Sequence, residues 1–221
     1  MYEQHVFLDF EMNPIPKDHP DEREIAKAEI IQIGAVRLDE TYTLTDRFSM
    51  YVKPAYGEIS PHITHLTGIK DSDVKDAPCL ADALIRFAGW IGDKCTRLYS
   101  WSLTDLWQLE DECWLKEIEM PAPLLSRWMD FQMVYTRLMG LSQRNPMSLK
   151  NAIGAVEGCL EGRQHSAVSD AENSAALLTL VKSGDFMERT RSVRAVLSGK
   201  TRQTGTLGDA AATLGGLLGE I

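Results

Sequence analysis

Short apolar runs in the first quarter of the chain predict β-strands. Residues 5–11 (HVFLDFE) and 29–39 (EIIQIGAVRLD) are rich in β-branched and aromatic side chains, and residues 47–53 complete a group of three. Because only a short loop separates the second run from the third, these runs predict an antiparallel meander. The polar stretch 13–27 contains three prolines and is predicted to be a loop.

A helical period replaces the strand pattern from residue 80 onward. Apolar residues recur every three or four positions over 80–91, 103–114, 148–156 and 169–181, which predicts four helices. Two further short strands are predicted, at 97–101 and at 127–130, and a helix through Leu138 follows the second of them. Five strands with interleaved helices predict the α/β class, with a mixed sheet between helical layers.

The character of the chain changes after residue 184. A basic helix is predicted over 186–197, a polar linker over 198–205, and a final helix over 206–221 with apolar residues along one face. We therefore expect a domain at 1–184 and an extension at 185–221. Five glycines lie from Gly205 to Gly219, and each one that falls inside the final helix weakens it by about 1 kcal/mol. It is expected to form only when docked, on the domain itself, in a homodimer or on a protein partner.

Composition excludes several classes of protein. The 221 residues are 44% hydrophobic and 25% charged, which is typical of a globular chain and not of a disordered one. No apolar run is long enough to span a membrane, and residues 1–5 lack the basic start of a signal peptide. The four cysteines form no CxxC pair, which argues against a zinc knuckle or a disulfide framework. A reducing, cytoplasmic location is expected.

The charge distribution bears on nucleic-acid binding. A formal net charge of −9 argues against broad binding to duplexes, which needs many Lys and Arg contacts to phosphates. An acidic protein still handles a polyanion when metal ions lie between its carboxylates and the phosphates. Residues 187–206 are an exception, because they hold five Lys or Arg residues against Glu188 alone. This segment either follows the phosphates of a substrate or is a solvated helix face.

Three acidic residues lie at the predicted strands or directly after them. Asp9 and Glu11 are two positions apart on the first strand and therefore share one face. Burial of two like charges on one face is unfavourable unless cations accompany them. Asp105 follows the fourth strand, in the first turn of a helix, where the helix dipole alone accounts for an acid. Each position has an ordinary explanation when it is taken singly.

A fourth acid and a histidine precede or begin the last helix of the domain. Ser169 and Glu172 fit a capping box that opens this helix, with a start a few residues earlier as the alternative, and they place Asp170 in its first turn. His165 comes five residues before Asp170 and is expected in the preceding loop. A single loop histidine is usually only a surface residue, so its meaning depends on the acids around it.

Together these residues give the order DxE…D…HxxxxD, which resembles the DEDDh (DnaQ-like) superfamily of 3′–5′ exonucleases. The resemblance covers residues 5–183, and its most specific parts are FLDFEMN (7–13) and HSAVSDAENSAAL (165–177). The run SPHITHLTGIKDSDV (60–74) is similar to the family's Thr-Gly-Ile turn. The DFE triplet and YSWSLTD (99–105) are similar to the branch that trims the 3′ ends of histone mRNA and small interfering RNA.

The resemblance implies an RNase H-like fold and a metal-dependent hydrolysis of phosphodiester bonds. Asp9, Glu11, Asp105 and Asp170 are then the ligands of two Mg²⁺ or Mn²⁺ ions, and His165 is the general base. The expected substrate is the 3′ end of single-stranded nucleic acid, with RNA preferred, and the product is a nucleoside 5′-monophosphate. A DNA 3′-end nuclease or proofreading factor remains an alternative, and so does a non-catalytic binding module on the same fold.

The resemblance also implies a pocket for the terminal nucleotide. The backbone at Phe10 and Met12 is expected near the 3′-hydroxyl and the sugar, and Leu66 and Thr67 near the last base. Trp101 either stacks on a base or is a core aromatic residue. The spacing of the other four tryptophans predicts that they lie in the core: Trp90, Trp107, Trp114 and Trp128.

Overall fold

The computed structural model describes residues 2–156 and 166–197 and contains one five-stranded sheet. The strand order is β3-β2-β1-β4-β5, in which β1 pairs antiparallel with β2 and parallel with β4. The other neighbours are β2 and β3, which are antiparallel, and β4 and β5, which are parallel. The predicted mixed sheet with an antiparallel meander is confirmed. The strands are β1 (Gln4–Pro14), β2 (Ala28–Asp39), β3 (Leu44–Tyr51), β4 (Thr96–Ser100) and β5 (Trp128–Asp130).

Helices flank this sheet on both faces. Within the described residues they are α1 (Pro20–Ile25), α2 (Pro61–Thr67), α3 (Asp71–Val74), α4 (Leu80–Ile91), α5 (Thr104–Leu115), α6 (Phe131–Leu138), α7 (Leu149–Ala155), α8 (Ala167–Ser183), α9 (Phe186–Arg189) and α10 (Arg191–Leu197). A 3₁₀ turn, Ala122–Leu125, precedes β5. Over this part of the chain, no helix has both the length and the apolar character that crossing a membrane requires.

The sheet separates two layers of the hydrophobic core, and β1 contributes side chains to both of them. Phe7 packs with residues of α6, α7 and α8 on one face of the sheet. Val6 and Leu8 pack with residues of α4 and α5 on the other face. This alternation follows from the two-residue period of a strand. It also means that Asp9 and Glu11, which continue the row of Phe7, point toward the layer that contains α8.

Three predicted elements differ from the structure. The loop predicted over 13–27 contains α1, because Pro20 occupies the first helical turn, where a missing N–H is harmless, and two acids follow it. The third strand lies at Leu44–Tyr51 rather than at 47–53. The single helix predicted over 186–197 is wrong, since the chain forms α9 and α10. Thr190 lies between them, is fully buried and donates its Oγ1–H to the carbonyl oxygen of Phe186 at 2.7 Å.

The placement of two tryptophans in the core is also wrong. Trp107 and Trp114 are 57% and 77% exposed, whereas Trp128 is 5% exposed and Trp90 packs against the core from its edge. Both exposed tryptophans lie on α5, which turns Glu112 to the interior instead. Glu112 is stabilised there by the N–H of Ile30 at 2.7 Å, and by Lys116, whose Nζ lies 2.7 Å from its carboxylate. The spacing of apolar residues gives no sign of a buried ion pair, so it does not predict that Glu112 is buried.

The extension predicted at 185–221 is described only as far as Leu197. Phe186 is fully buried in the same core layer as α8, and its ring lies 5.4 Å from that of Tyr135 in α6. The predicted linker 198–205 and the predicted helix 206–221 lie outside the described residues. The boundary between domain and extension therefore stays a prediction.

Candidate active site

Gly34 brings the start of α8 against the sheet. It pairs with Asp9 across the β1–β2 ladder. A Cβ atom at Gly34 would lie 2.1 Å from the backbone N of Val168 and 2.2 Å from the backbone carbon of Ala167. Only a residue without a side chain permits this approach, which is a recurrent use of glycine inside strands. The first turn of α8, which carries Asp170, is therefore held beside Asp9.

The start of α8 differs from the capping box predicted at Ser169. The helix begins at Ala167, so that Ser166 precedes it and Ser169 lies inside its first turn. Glu172, the other half of the predicted box, forms an ion pair with Arg47 of β3. Glu172 therefore interacts with another element rather than with the start of its own helix, and its ion pair joins α8 to β3, the outer strand of the meander. Asp170 remains in the first turn, as predicted.

Three carboxylates converge where α8 meets β1. One carboxylate oxygen from each of Asp9, Glu11 and Asp170 lies within 4.8 Å of the other two. Asp105 approaches from α5 and accepts a hydrogen bond from the backbone N–H of Phe10 at 3.1 Å. Asp105 is 5% exposed. The structure thus brings all four predicted acids together, from elements that lie far apart in the chain.

Burial and mutual repulsion raise the pKa values of these acids. Desolvation raises the pKa of Asp9 well above its ordinary value, and the charges of Asp105, Asp170 and Glu11 add to this effect. Desolvation, with Asp170 and Asp105, raises the pKa of Glu11 to about 7. Desolvation also raises the pKa of Asp105, against the hydrogen bond from Phe10. In all three cases burial of the carboxylate is the largest cause of the raised pKa.

The acidic cluster is chemically suited to divalent metal ions. Over residues 2–156 and 166–197, no Lys or Arg forms an ion pair with Asp9, Glu11 or Asp105. Carboxylate oxygens are the donors that Mg²⁺ and Mn²⁺ prefer, and a bound cation removes the repulsion among buried carboxylates. Asp9, Glu11 and Asp170 would hold such an ion, with Asp105 beside them.

The raised pKa of Glu11 predicts how the metal-free protein responds to pH. A carboxylate whose folded pKa is raised favours folding below its unfolded pKa, near 4.5, and this contribution is lost as pH rises through about 7. Glu11→Gln removes this titration. In EDTA, the variant should therefore match the wild type at pH 4 and become more stable by roughly 1 kcal/mol per pH unit between pH 5 and 7. Urea denaturation at several pH values measures the difference, and a difference that is constant with pH would contradict the assigned repulsion.

The predicted base-contacting residues lie at the end of α2. Leu66 is 36% exposed, and Thr67 is buried. The Thr67 hydroxyl donates to the carbonyl oxygen of Ile63 at 2.9 Å and accepts from the N–H of Ile69 at 3.0 Å. Gly68 ends the helix with a φ of 81°, a left-handed conformation that favours glycine. Of the pair, Leu66 is the side chain that is available to a ligand.

Asn13 is a positioning residue that the sequence analysis did not single out. It is 1% exposed, and its side chain donates to the carbonyl oxygen of Glu58 at 3.1 Å and accepts from the N–H of Ser60 at 2.9 Å. These bonds join the end of β1 to the loop that begins α2. They fix Leu66 relative to the acids of β1. A polar residue that extends an otherwise buried strand is the signal that was available in the sequence.

The remaining predicted site residues differ in their surroundings. Phe10 is buried against Trp128, and its N–H is bonded to Asp105, so that it positions this acid. Met12 is half-buried and follows an irregularity in the β1–β2 register after Glu11. Trp101 is 8% exposed, and its indole Nε1 has no hydrogen-bond partner within the described part of the chain. His165, the predicted general base, lies outside the described residues.

Comparison with known proteins identifies the family. Residues 6–178 match the family described as Exonuclease (RNase_T). The chain belongs to this exonuclease family. Mouse (Mus musculus) ERI1 exoribonuclease 2 is 31% identical over 205 residues, which cover 81% of this chain and 29% of the mouse protein. The 3′-5′ exonuclease Snipper of Drosophila melanogaster is 26% identical over 214 residues, which cover 87% of this chain and 74% of Snipper. The chain spans less than a third of the length of the mouse relative.

Solved structures of exonucleases share the fold. The nuclease domain of 3′hExo, a DEDDh family member bound to rAMP, superimposes with a TM-score of 0.69 at 23% identity, over 84% of this chain and 94% of that domain. A 3′-exonuclease that recognises the histone mRNA stem-loop gives 0.72 at 20% identity, over 83% of each chain. The predicted fold, a mixed five-stranded sheet flanked by helices, is confirmed, and the family match confirms the predicted exonuclease relationship. This exonuclease chain carries a cluster of carboxylates, the donor type that divalent metal ions prefer.

Proposed function

We propose that this protein is a metal-dependent 3′–5′ exonuclease that shortens single-stranded RNA and releases nucleoside 5′-monophosphates. The observation that carries the proposal is the convergence of Asp9, Glu11 and Asp170, with Asp105 hydrogen-bonded beside them. RNA is favoured over DNA because the mouse relative is named an exoribonuclease, and a structural relative recognises the end of an mRNA.

Each residue of the site has a distinct task in this reaction. The four acids would hold divalent ions, which would supply positive charge at the phosphate and a lowered pKa for an attacking water. Asp9 lies at the centre of the cluster, where the other three acids raise its pKa, and is assigned the central place in holding them. His165 accepts the proton of that water, for which an imidazole with a pKa near 6.5 is suited. Leu66 contacts the last base, and the backbone at Met12 contacts the sugar.

A time course on labelled strands tests the proposal. Single-stranded RNA and DNA of one sequence, each labelled at the 5′ end, are incubated with the protein and Mg²⁺ or Mn²⁺, with EDTA as the control. The proposal predicts a ladder that shortens from the 3′ end, runs faster on RNA and is absent in EDTA. A faster reaction on DNA would favour the DNA 3′-end nuclease. Binding without cleavage of either strand would favour a non-catalytic module.

The role of His165 is tested by its substitution. His165→Ala is expected to lower the cleavage rate by at least about 10²-fold, the lower end for loss of a general base. His19→Ala is the matched control, because His19 directly precedes α1 and is not part of the acidic cluster, so its loss should leave the rate unchanged. Calorimetric titration with Mn²⁺ should show that metal binding persists in His165→Ala. A rate within threefold of the wild type would remove His165 from the mechanism.

The expected location and assembly of the protein also remain proposals. We infer a reducing, cytoplasmic location, which is supported by the free thiols of Cys79 and Cys95 at the surface. A homodimer or a protein complex through residues 206–221 is one proposed use of the final segment, and docking on the same chain is the other.

A further inference from the structure

An apolar groove of about 1100 Å³ lies away from the acidic cluster. It is formed by α5, the loop after it, the 3₁₀ turn and the first residue of β5. Three large apolar side chains that line the groove are exposed to solvent: Trp114 (77% exposed), Leu125 (68%) and Ile25 (39%). Exposed apolar surface on this scale usually marks a surface that is covered in the functional protein.

The rim of the groove is acidic. Glu110, Glu117 and Glu119 line it, and Arg127 is its one cation among the described residues. Such a rim repels the phosphates of a nucleic acid, so exposed tryptophans here do not form a platform for substrate bases. The occupant must instead present an apolar surface and keep its own negative charge away from the rim.

The final segment of this chain has that chemistry. In a helix over 206–221, at 100° per residue, seven apolar residues share one face: Leu207, Ala210, Ala211, Leu214, Leu217, Leu218 and Ile221. The two acids of the segment, Asp209 and Glu220, fall on the opposite face. Lys200 and Arg202 immediately precede the segment and complement the acidic rim.

Phe186 packs against Tyr135 in the core layer of α6, α7 and α8, on the face of the sheet opposite the groove. The groove residues Leu124 and Trp128 pack in the layer of α4 and α5, next to β5, which is an edge strand of the sheet. Twenty-four residues follow Leu197. Residues 198–205 alone can extend over about 26–29 Å, and a helix of sixteen residues is about 24 Å long. The linker is thus long enough to pass around the β5 edge of the sheet, and the helix is long enough to lie along the groove.

We infer that residues 206–221 dock as an amphipathic helix in the groove of their own chain, against Trp114 and Leu125. The groove then buries the apolar face of a helix whose glycines make it unstable alone. The docked segment covers the outer side of α5, the helix whose first turn carries Asp105. This inference does not depend on the proposed exonuclease reaction.

Hydrogen exchange on the full-length protein tests the inference. We expect the amides of 206–221 to exchange at least about tenfold more slowly than those of the free peptide of the same sequence, because docked backbone opens less often. Leu125→Asp in the groove and Leu214→Asp in the segment should each abolish this protection. Both side chains are expected to lie outside the core of the domain, so the rest of the protein should keep its exchange rates.

Matched controls separate docking from a general effect of added charge. Ile85→Asp changes another exposed apolar residue, 65% exposed on α4, and Ala212→Asp adds the same charge on the opposite face of the segment. Both should keep the protection. Exchange of 206–221 at the rate of the free peptide would overturn the inference, as would protection that survives Leu125→Asp. Protection that appears only when light scattering shows a dimer would replace docking on the same chain by exchange between two copies.

Discussion

Asp9→Asn is expected to abolish cleavage while making the metal-free protein more stable. Asp9 lies at the centre of the acidic cluster, and under the proposed function its substitution removes a metal ligand. The cleavage rate should fall by more than about 10²-fold, the loss typical of groups that only support a metal ligand. The free energy of unfolding in EDTA at pH 8 should rise, because a buried charge that three other carboxylates repel has been removed.

Thermal denaturation with and without Mg²⁺ separates the two effects. The midpoint of the metal-free variant should exceed that of the wild type by about 2–4 °C, the shift expected from 1 kcal/mol in a chain of this size. Added Mg²⁺ should raise the midpoint of the wild type and not that of Asp9→Asn. Asp76→Asn, a change at an exposed acid, is the control and should behave as the wild type. A variant that is less stable in EDTA would show that Asp9 has a structural partner.

Gly34→Ala is expected to damage both stability and catalysis, although it adds a single methyl group. The new Cβ would lie 2.1 Å from the backbone of Val168, which cannot move aside as a flexible side chain can. The free energy of unfolding should fall by about 3 kcal/mol, the upper end of the usual cost of overpacking. Because α8 must shift away from β1, Asp170 leaves its position, and a displacement of about 1 Å lowers a rate by about 10²-fold.

Gly89→Ala is a suitable comparison for this prediction. Gly89 lies in α4, and a Cβ atom built there has no heavy atom within 4 Å. The substitution should therefore raise the free energy of unfolding by up to about 1 kcal/mol through helix propensity alone. Urea denaturation and initial cleavage rates at saturating Mg²⁺ measure both variants. If Gly34→Ala lost stability but kept its full rate, the contact with α8 would not position Asp170.

The sequence predicts the sheet well because the residues that favour a strand are neighbours in the chain. The runs at 5–11 and 29–39 lie within β1 and β2, and the helical period over 80–91 coincides with α4. The four acids were also predictable, because their order along the chain survives any change in the loops between them. The strands and helices are predictable because the residues that define them are neighbours in the sequence. The acids are predictable because their residue types and order are recognisable.

The incorrect predictions from the sequence are explained by interactions between residues that are far apart in the chain. Glu112 is buried because Ile30 and Lys116 satisfy it, and it shares the interior face of α5 with Leu109 and Cys113. Trp107 and Trp114, which spacing alone assigns to the core, are exposed as a result. The capping box at Ser169 is absent because α8 begins at Ala167, and Glu172 bonds to Arg47, which lies far away in the sequence. Asn13 and Gly34 position the site through partners on other elements, so that neither residue has a local pattern of its own.

The contact between Gly34 and α8 has a consequence during protein synthesis. Gly34 and Val168 are separated by more than half of the chain, so that β1, β2 and β3 exist well before α8 is made. At about 5–20 residues per second, this interval is on the order of ten seconds. Until it ends, Asp170 is missing from the acidic cluster, and the face of the sheet that α8 covers stays open to chaperones. A nascent chain therefore lacks one of the four proposed metal ligands, and under the proposed function it gains the ability to cut nucleic acid only after α8 has been made.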